Sequence, residues 1–329
     1  MLSSTSSSRP ASPAGGWGRT WCLTILAGLA AVSALEATAR AKGVTPSWSV
    51  GSESWSVEAA ELGPRDVAII GTSRILSGVE PEALSRRMGR PAHQLAINAT
   101  SMLPVLEWLA AREDFEGLVL ADVTPRLEFQ EGFDRHAAAE RFVRDFRDYF
   151  RSPARRLDSP LSRFVQTHLA CRSPGFALLA PYRDRHASGG RLDRMTVEGT
   201  RFVRLEFRKD AGDPGEKEVQ PASAAPAGPA ELEVLFTRFA TAARAIGRRG
   251  GRVVFLYMPV SGRLAVAEER DFPRVIYWDR LVAAAGAEAV HFKDMPELAY
   301  FTCPDGEHLD GPDAARFTEA LASVLAARR

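Results

Sequence analysis

The sequence predicts an α/β protein: a three-layer, doubly wound domain with helices on both faces of a mostly parallel sheet. Short, continuously apolar runs at 67–70, 117–123 and 253–258 are typical of strands buried on both faces of such a sheet. Apolar residues spaced three and four apart, clearest at 231–249, indicate helices between the strands. Strand and helix alternate along the chain, and sheets of this kind carry functional residues in loops beyond the carboxyl ends of their strands.

The other elements follow the same alternation. A proline and acids at 79–84 mark the start of a helix, and the Gly-Arg-Pro sequence at 89–91 ends it. The segment 210–230 is rich in Ala, Pro, Gly and Glu, which predicts a mobile loop within the domain. Further strands are predicted at 94–97 and 289–292, and further helices at 104–112, 137–149, 161–179, 277–285 and 313–327.

Charge and cysteine content exclude several classes of function. The 329 residues include 42 Lys and Arg against 41 Asp and Glu, so no bulk field marks the chain as a nucleic-acid-binding protein. Of three cysteines, Cys22 lies in an apolar run, which leaves Cys171 and Cys303 as the one conceivable disulfide. No Cys or His cluster has metal-ligand spacing, so neither a metal nor another cofactor is predicted.

The N-terminal region reads as an export or anchor signal. Residues 1–19 form a basic Ser/Pro-rich leader, and 20–36 form an apolar segment that suits either a transmembrane anchor or a cleaved signal peptide. A buried N-terminal helix is the alternative interpretation. Residues 37–65 are predicted to be a linker and 66–329 the α/β domain. The basic residues precede the apolar segment. If the segment is not cleaved, this order places the domain on the periplasmic face of the inner membrane.

Two short motifs carry the candidate chemistry. The first apolar strand ends at Gly71 and then presents Ser73, whose hydroxyl needs a base before it becomes a nucleophile. Near the other end of the chain, Asp305 and His308 are three residues apart, and Gly306 permits a tight loop between them. A histidine takes the serine proton best when a carboxylate fixes its tautomer. Each motif alone suits an ordinary turn, but together they predict a Ser-His-Asp triad.

The residues of these motifs resemble those of the SGNH (GDSL-like) hydrolases, and more closely those of their membrane-anchored bacterial relatives linked to cell-surface polysaccharide modification. Residues 70–74 look like the family's first block with its nucleophile, and 305–309 look like its last block with the acid and base. The stretch 311–317 is similar to the start of the family's final helix. The resemblance covers roughly residue 66 to the C-terminus, and it implies the family's fold and chemistry.

The middle blocks depart from the family pattern. Residues 98–101 stand in the place of the glycine block, and 121–124 stand in the place of the expected GxND. The resemblance implies an oxyanion hole formed by the Ser73 N–H and the Asn98 side chain. Asn98 is equally typical of a strand-end residue that caps its own turn. Arg74, next to the nucleophile, suits either an anionic sugar group or an acidic partner within the protein.

Other conspicuous side chains have structural interpretations. Three aromatics recur at helical spacing among charged residues, which favours a packing stripe over an aromatic ligand site. The histidines outside the motif are expected to be surface or packing residues. The aromatics are Phe142, Phe146 and Tyr149, and the histidines are His93, His136, His168, His186 and His291.

The resemblance therefore implies an exported serine esterase or O-acyltransferase that acts on acyl groups, acetyl above all, of envelope polysaccharide. It also implies a membrane-bound O-acyltransferase as a partner. A non-catalytic domain of the same fold that binds or scaffolds polysaccharide machinery is the main alternative. A third possibility is an anchored α/β domain in which the two motifs coincide by chance.

Overall fold

A computed structural model describes residues 17–130, 135–174, 176, 178, 192–208 and 225–328. Its central sheet has five strands, and a separate hairpin has two. In chain order the strands are β1 (Val67–Ile70), β2 (Ala92–Gln94), β3 (Leu118–Asp122), β4 (Leu192–Val197), β5 (Val203–Phe207), β6 (Arg252–Tyr257) and β7 (Glu288–His291). The sheet order is β2-β1-β3-β6-β7 with every neighbouring pair parallel, whereas β4 and β5 are antiparallel.

Helices cover both sides of the sheet, so the predicted α/β class with a mostly parallel sheet is confirmed. One helical layer contains α3 (Ser73–Gly78), α4 (Pro81–Met88), α12 (Pro296–Ala299) and α13 (Gly311–Ala326). A second contains α5 (Leu103–Ala111), α9 (Pro229–Arg248) and α11 (Trp278–Ala285). Next to β2 lies α2 (Ser52–Glu61), and α7 (Arg135–Arg151) and α8 (Pro153–His168) pack on α2. The others are α1 (Trp17–Ala41), α6 (Pro125–Glu128) and α10 (Gly262–Asp271).

The two strands β1 and β3, inside the sheet, are covered on both faces. Every residue of β1 and β3 is buried, which explains why these strands read as continuous apolar runs rather than alternating ones. Gly89 and Gly286 end α4 and α11 in the left-handed conformation that glycine adopts without steric cost. These sequence signals therefore placed the elements that build the sheet.

The segment 37–65, predicted as a linker, is part of the packed domain instead. α1 continues to residue 41, and α2 buries Trp55 completely, with its indole N–H donating to the carbonyl of Leu95 at 2.8 Å. Rings of Phe142 and Phe146 pack edge-on against Trp55, so the predicted aromatic packing stripe on α7 is confirmed. The linker prediction failed because α2 buries serine and glutamate side chains beside its tryptophan, which hides its apolar periodicity.

Other boundaries moved. The helix expected at 161–179 is α8, which starts earlier and contains a proline, and the strand expected at 94–97 is β2. The hairpin and α10 were not predicted. Residues 1–16, His186 and most of the expected mobile loop at 210–230 lie outside the described residues, and the end of that loop already belongs to α9.

Within the described part of the chain, α1 is the one helix long and apolar enough to cross a membrane, a property that signal sequences near an N-terminus share. Its C-terminal end is attached to the domain. The Glu36 carboxylate accepts hydrogen bonds from the N–H groups of Ala170 and Cys171 at 3.1 and 3.0 Å. All three cysteines are free, so Cys171 and Cys303 do not form a disulfide.

Candidate active site

Ser73 is the first residue of α3, directly after the turn that follows β1. Gly71 has φ +144°, and a Cβ there would come within 2.6 Å of the Asp122 Cβ, so the turn requires glycine. The Thr72 hydroxyl then caps α3 by accepting a hydrogen bond from the Arg74 N–H at 3.3 Å. Ser73 itself is partly exposed, whereas its neighbours on both sides are buried. The local sequence thus presents one accessible hydroxyl at the carboxyl edge of the sheet.

The predicted acid and base lie in the loop before α13. Gly306, with φ +98°, allows the loop to fold back on itself. Asp305 Oδ1 accepts hydrogen bonds from the N–H groups of Glu307 at 3.0 Å and His308 at 2.8 Å. Its Oδ2 lies 2.7 Å from His308 Nδ1, and His308 Nε2 lies 2.9 Å from Ser73 Oγ. The structure therefore brings Ser73, His308 and Asp305 into one hydrogen-bonded chain.

The charges of this chain are defined by its surroundings. Burial alone would raise the pKa of Asp305, but the hydrogen bond and charge of His308 and two backbone donors outweigh burial and lower that pKa to about 2. Burial disfavours the charged imidazole of His308, yet Asp305, with help from Glu307, raises the pKa of His308 above its usual value. Asp305 is therefore a carboxylate and pure acceptor, which assigns the proton on Nδ1 and leaves Nε2 to accept the Ser73 hydroxyl.

Arg74 does not face solvent. Its side chain is 1% exposed and forms two hydrogen bonds, at 3.1 and 2.5 Å, with the Glu268 carboxylate on α10. The Tyr257 hydroxyl donates to the same carboxylate at 3.0 Å. Of the two roles considered for Arg74, the structure shows the pairing with an acid rather than a free sugar-binding cation.

Glu307 joins this ion pair to the base loop. Its carboxylate lies 3.6 Å from the Arg74 guanidinium and 3.9 Å from that of Arg126 on α6. The side chains of Glu307 and Arg126 are each 30% exposed, so both reach the surface beside the triad. Sequence reasoning missed Glu268 and Arg126, because no local motif links either of them to Ser73. Glu307 could have been identified from the sequence, because it lies between the predicted acid and base.

A buried carboxyl group supports the nucleophile turn from below. The Thr72 hydroxyl donates to Asp122 Oδ2 at 3.1 Å, and the Thr124 hydroxyl lies 3.3 Å from the same oxygen. Burial raises the pKa of Asp122 to about 6. Both threonines follow buried parallel strands, β1 and β3, so the sequence could have predicted that they lie close together at one edge of the sheet. Asp122 thus packs beneath the turn and is fully buried.

Asn98 occupies an exposed turn next to the nucleophile turn. The Ile97 N–H donates to the carbonyl of Gly71 at 3.0 Å, which joins the two turns. Buried Glu128 on α6 holds the end of the Asn98 turn, accepting hydrogen bonds from the Ser101 hydroxyl and the Met102 N–H. The turn is therefore fixed at the correct edge of the sheet. The oxyanion role of Asn98 and of the Ser73 N–H remains a prediction.

One cluster among the described residues has the composition of a metal site. Glu58, Glu61 and His93 place ligand atoms within 4.8 Å of one another. Arg163 already pairs with both carboxylates, at 3.3 Å to Glu58 and 2.9 Å to Glu61. His93 also lies 3.2 Å from Asp66. The Arg163 guanidinium thus supplies the positive charge beside these carboxylates, and we interpret the cluster as an ion-pair network.

Fold and geometry together define an α/β protein with a Ser-His-Asp hydrogen-bonded chain at the carboxyl edge of its parallel sheet. A scan against protein-family models finds no matching family, and a search of curated proteins finds no relative for this chain.

Proposed function

We propose that this protein is a serine esterase or O-acyltransferase of SGNH type, exported and anchored by α1, that acts on acyl groups, acetyl above all, of envelope polysaccharide. The observation that carries the proposal is the alignment of a partly exposed Ser73 with His308 and Asp305 at 2.9 and 2.7 Å. These distances lie in the range in which a serine hydroxyl passes its proton to an imidazole.

The chemistry would run in two steps. Ser73 Oγ attacks the acyl carbonyl while His308 Nε2 takes the hydroxyl proton, and Asp305 stabilises the imidazolium. The tetrahedral oxyanion collapses with cleavage of the ester C–O bond, and His308 returns the proton to the leaving sugar oxygen. Water or an acceptor hydroxyl then gives its proton to His308 and attacks the acyl-Ser73 carbonyl. The second tetrahedral intermediate collapses with cleavage of the C–Oγ bond, and His308 returns the proton to Ser73 Oγ. Hydrolysis and transfer differ only in which of the two acceptors enters.

The transferase form needs an acyl donor on the same side of the membrane as the domain. The resemblance to envelope-modifying relatives supplies a membrane-bound O-acyltransferase as the candidate partner. Adding a carbohydrate acceptor to the acyl-enzyme distinguishes the two forms, because transfer yields an acylated sugar and hydrolysis yields the free acid.

A non-catalytic domain that binds polysaccharide machinery is the second candidate. Asp122 is buried beneath the turn, and Asn98 lies in an exposed turn. Asn98 is then the one side chain proposed to donate to the oxyanion, and a site with so few donors favours this second candidate. Losing one oxyanion donor costs about 10²–10³ in rate. A scaffold would therefore keep the triad geometry with little turnover.

A serine-directed fluorophosphonate probe separates the two candidates. We expect the full chain in detergent to be labelled at Ser73, and labelling to disappear in Ser73→Ala and His308→Ala. Ser323→Ala, which removes an exposed serine of α13, is the matched control and should be labelled like the parent protein. A folded sample that resists labelling at millimolar probe would contradict the catalytic proposal and favour the scaffold.

A further inference from the structure

α8 carries an apolar face that the described residues leave uncovered. Leu157, Leu161 and Phe164 are spaced four and three residues apart, so they lie on one side of the helix. Their exposures are 79%, 61% and 61%. Pro160, on the same side, is exposed as well. Single exposed apolar residues are ordinary on a protein surface, but a continuous helical stripe indicates a contact surface.

The opposite side of α8 is polar and faces the protein. The Ser159 hydroxyl donates to Glu53 on α2 at 2.8 Å, and Ser159 is buried. Arg163 pairs with Glu58 and Glu61, also on α2. A helix at the surface of a globular domain normally turns its apolar stripe inward. Here the orientation is reversed, so α8 is fixed to the domain through polar contacts while its apolar stripe points outward.

The apolar stripe lies close to the end of the candidate membrane span. The Arg40 guanidinium of α1 donates to the carbonyl of His168, the last residue of α8, at 3.4 Å. The ring of Phe164, one turn earlier, contacts that of His168 at 4.4 Å. Glu36 of α1 binds the 3₁₀ turn that follows α8. The point where α1 joins the domain is therefore within one helical turn of the exposed stripe.

The segment that carries the stripe is basic. The segment 135–168, which spans α7 and α8, contains eight arginines and four acids, although the whole chain has a net charge of only +1. Arg156 is exposed beside Leu157 on the flank of the stripe, whereas Arg155, four residues before buried Ser159, lies on the opposite side of the helix. An apolar stripe on a basic helix is the pattern of helices that lie in the membrane interface, where arginines bind anionic headgroups.

We propose that α8 rests on the surface of the membrane that α1 crosses. Leu157, Leu161 and Phe164 enter the boundary between headgroups and acyl chains, and Arg156 binds anionic lipid. This inference rests on the anchor in the proposed function and is independent of the triad. Two attachments, α1 and α8, then fix the orientation of the domain, so that the triad would meet its substrate at a constant height above the bilayer.

Lipid quenching of single-cysteine variants in nanodiscs tests this arrangement. Three full-length proteins are each labelled with an environment-sensitive fluorophore at one cysteine: native Cys22 in α1, Leu161→Cys, or Val234→Cys, with the other accessible cysteines changed to serine. Val234, on α9, is 59% exposed and so matches Leu161, but α9 packs on α11 and β6, away from the β2 edge. The nanodiscs contain doxyl-labelled lipid, with or without phosphatidylglycerol.

We expect strong quenching at residues 22 and 161 in anionic nanodiscs, with quenching at 161 at least about two-fold that at 234. Arg156→Gln should weaken the quenching at 161 but not at 22, since an arginine near an anionic surface contributes roughly five-fold to binding.

Quenching at 22 with none at 161 would overturn the proposal, as would equal quenching at 161 and 234. If 161 is shielded in native membranes but unquenched by lipid, a protein covers α8 instead, and lipid docking is wrong. No quenching at residue 22 would show that α1 does not enter the bilayer, and the proposal would fail with the anchor on which it rests. Fluorophosphonate labelling of the same samples reports on the triad separately, so failure of docking and failure of catalysis remain distinguishable.

Discussion

Two histidines of this protein have acidic neighbours, and their different hydrogen-bond partners separate a candidate catalytic site from a structural one. His308 has the Asp305 carboxylate at Nδ1 and the Ser73 hydroxyl at Nε2. His93 has carboxylates at both nitrogens, Glu58 at 3.4 Å and Asp66 at 3.2 Å. Neighbouring acids raise the pKa of both rings against the effect of burial.

The partner of the second nitrogen decides what each ring can do. A hydroxyl can give its proton to a neutral imidazole, so His308 has a use for its unprotonated form. Two carboxylates accept from both nitrogens, so His93 is best satisfied as an imidazolium that holds α2, β2 and the turn before β1 together. The same residue types thus predict activity loss at one site and stability loss at the other.

His308→Ala should produce the largest effect. Without its base, Ser73 remains protonated, and we expect kcat/KM for an activated acetate ester to fall about 10³-fold or more. The free energy of unfolding should change much less, because the loop that carries the ring is also held by the backbone hydrogen bonds to Asp305. His168→Ala, at an exposed position on α8, is the control and should retain activity. Activity that survives His308→Ala would contradict the role of His308 as the base for Ser73, and with it the contrast between the two histidines.

Glu268→Gln should lower the stability of the fold, because Glu268 pairs with buried Arg74 next to Ser73. The substitution leaves the buried Arg74 charge without its bidentate carboxylate, and breaking a buried pair from one side costs about 3–5 kcal/mol. Urea unfolding in detergent measures this loss. Glu269→Gln removes the adjacent, exposed carboxylate and should leave the unfolding midpoint almost unchanged. Equal midpoints for the two variants would show that the Arg74 pair contributes no more than a surface ion pair.

His93→Gln should lower stability and leave the proposed esterase activity unchanged. It removes a buried donor to Glu58 and Asp66, and we expect a loss of about 1–3 kcal/mol in the free energy of unfolding. Since folding raises the pKa of His93, its contribution is fully present below the unfolded pKa of about 6.5 and is lost as pH rises through the folded value.

The difference in unfolding free energy between parent and His93→Gln should therefore be larger at pH 6 than at pH 9. A difference that grows with pH would contradict the doubly acidic environment assigned to His93.

Glu307→Gln should have the smallest effect, on the pH profile. Asp305 is the main cause of the raised pKa of His308, and Glu307 adds to it. The acid limb of kcat/KM should lie above pH 6.5 in the parent protein, since the base must be neutral, and should move to lower pH in Glu307→Gln. Glu297→Gln, at an exposed position on α12, is the control. An unchanged limb would show that Glu307 does not act on His308.

Sequence reasoning found the parts of the site that are chemically unusual and missed the parts that are merely distant. Ser73, Asp305 and His308 were singled out because nucleophile, base and acid are recognisable from local motifs. Glu268 was not, because it meets Arg74 across 194 residues of chain and carries no motif of its own. The outward apolar stripe of α8 was also missed, since periodicity gives the spacing of a stripe but not the side it faces.

By itself the sequence determined the alternation of strand and helix, the glycine that turns β1 into α3, and the candidate triad residues. All of these depend on local preferences: apolar runs, backbone freedom and residue chemistry. Only the tertiary structure decided that His308 lies 2.9 Å from Ser73, that Arg74 is buried against Glu268, and that α2 belongs to the core. Such contacts join distant segments, and the packing of the whole sheet with its helices sets them.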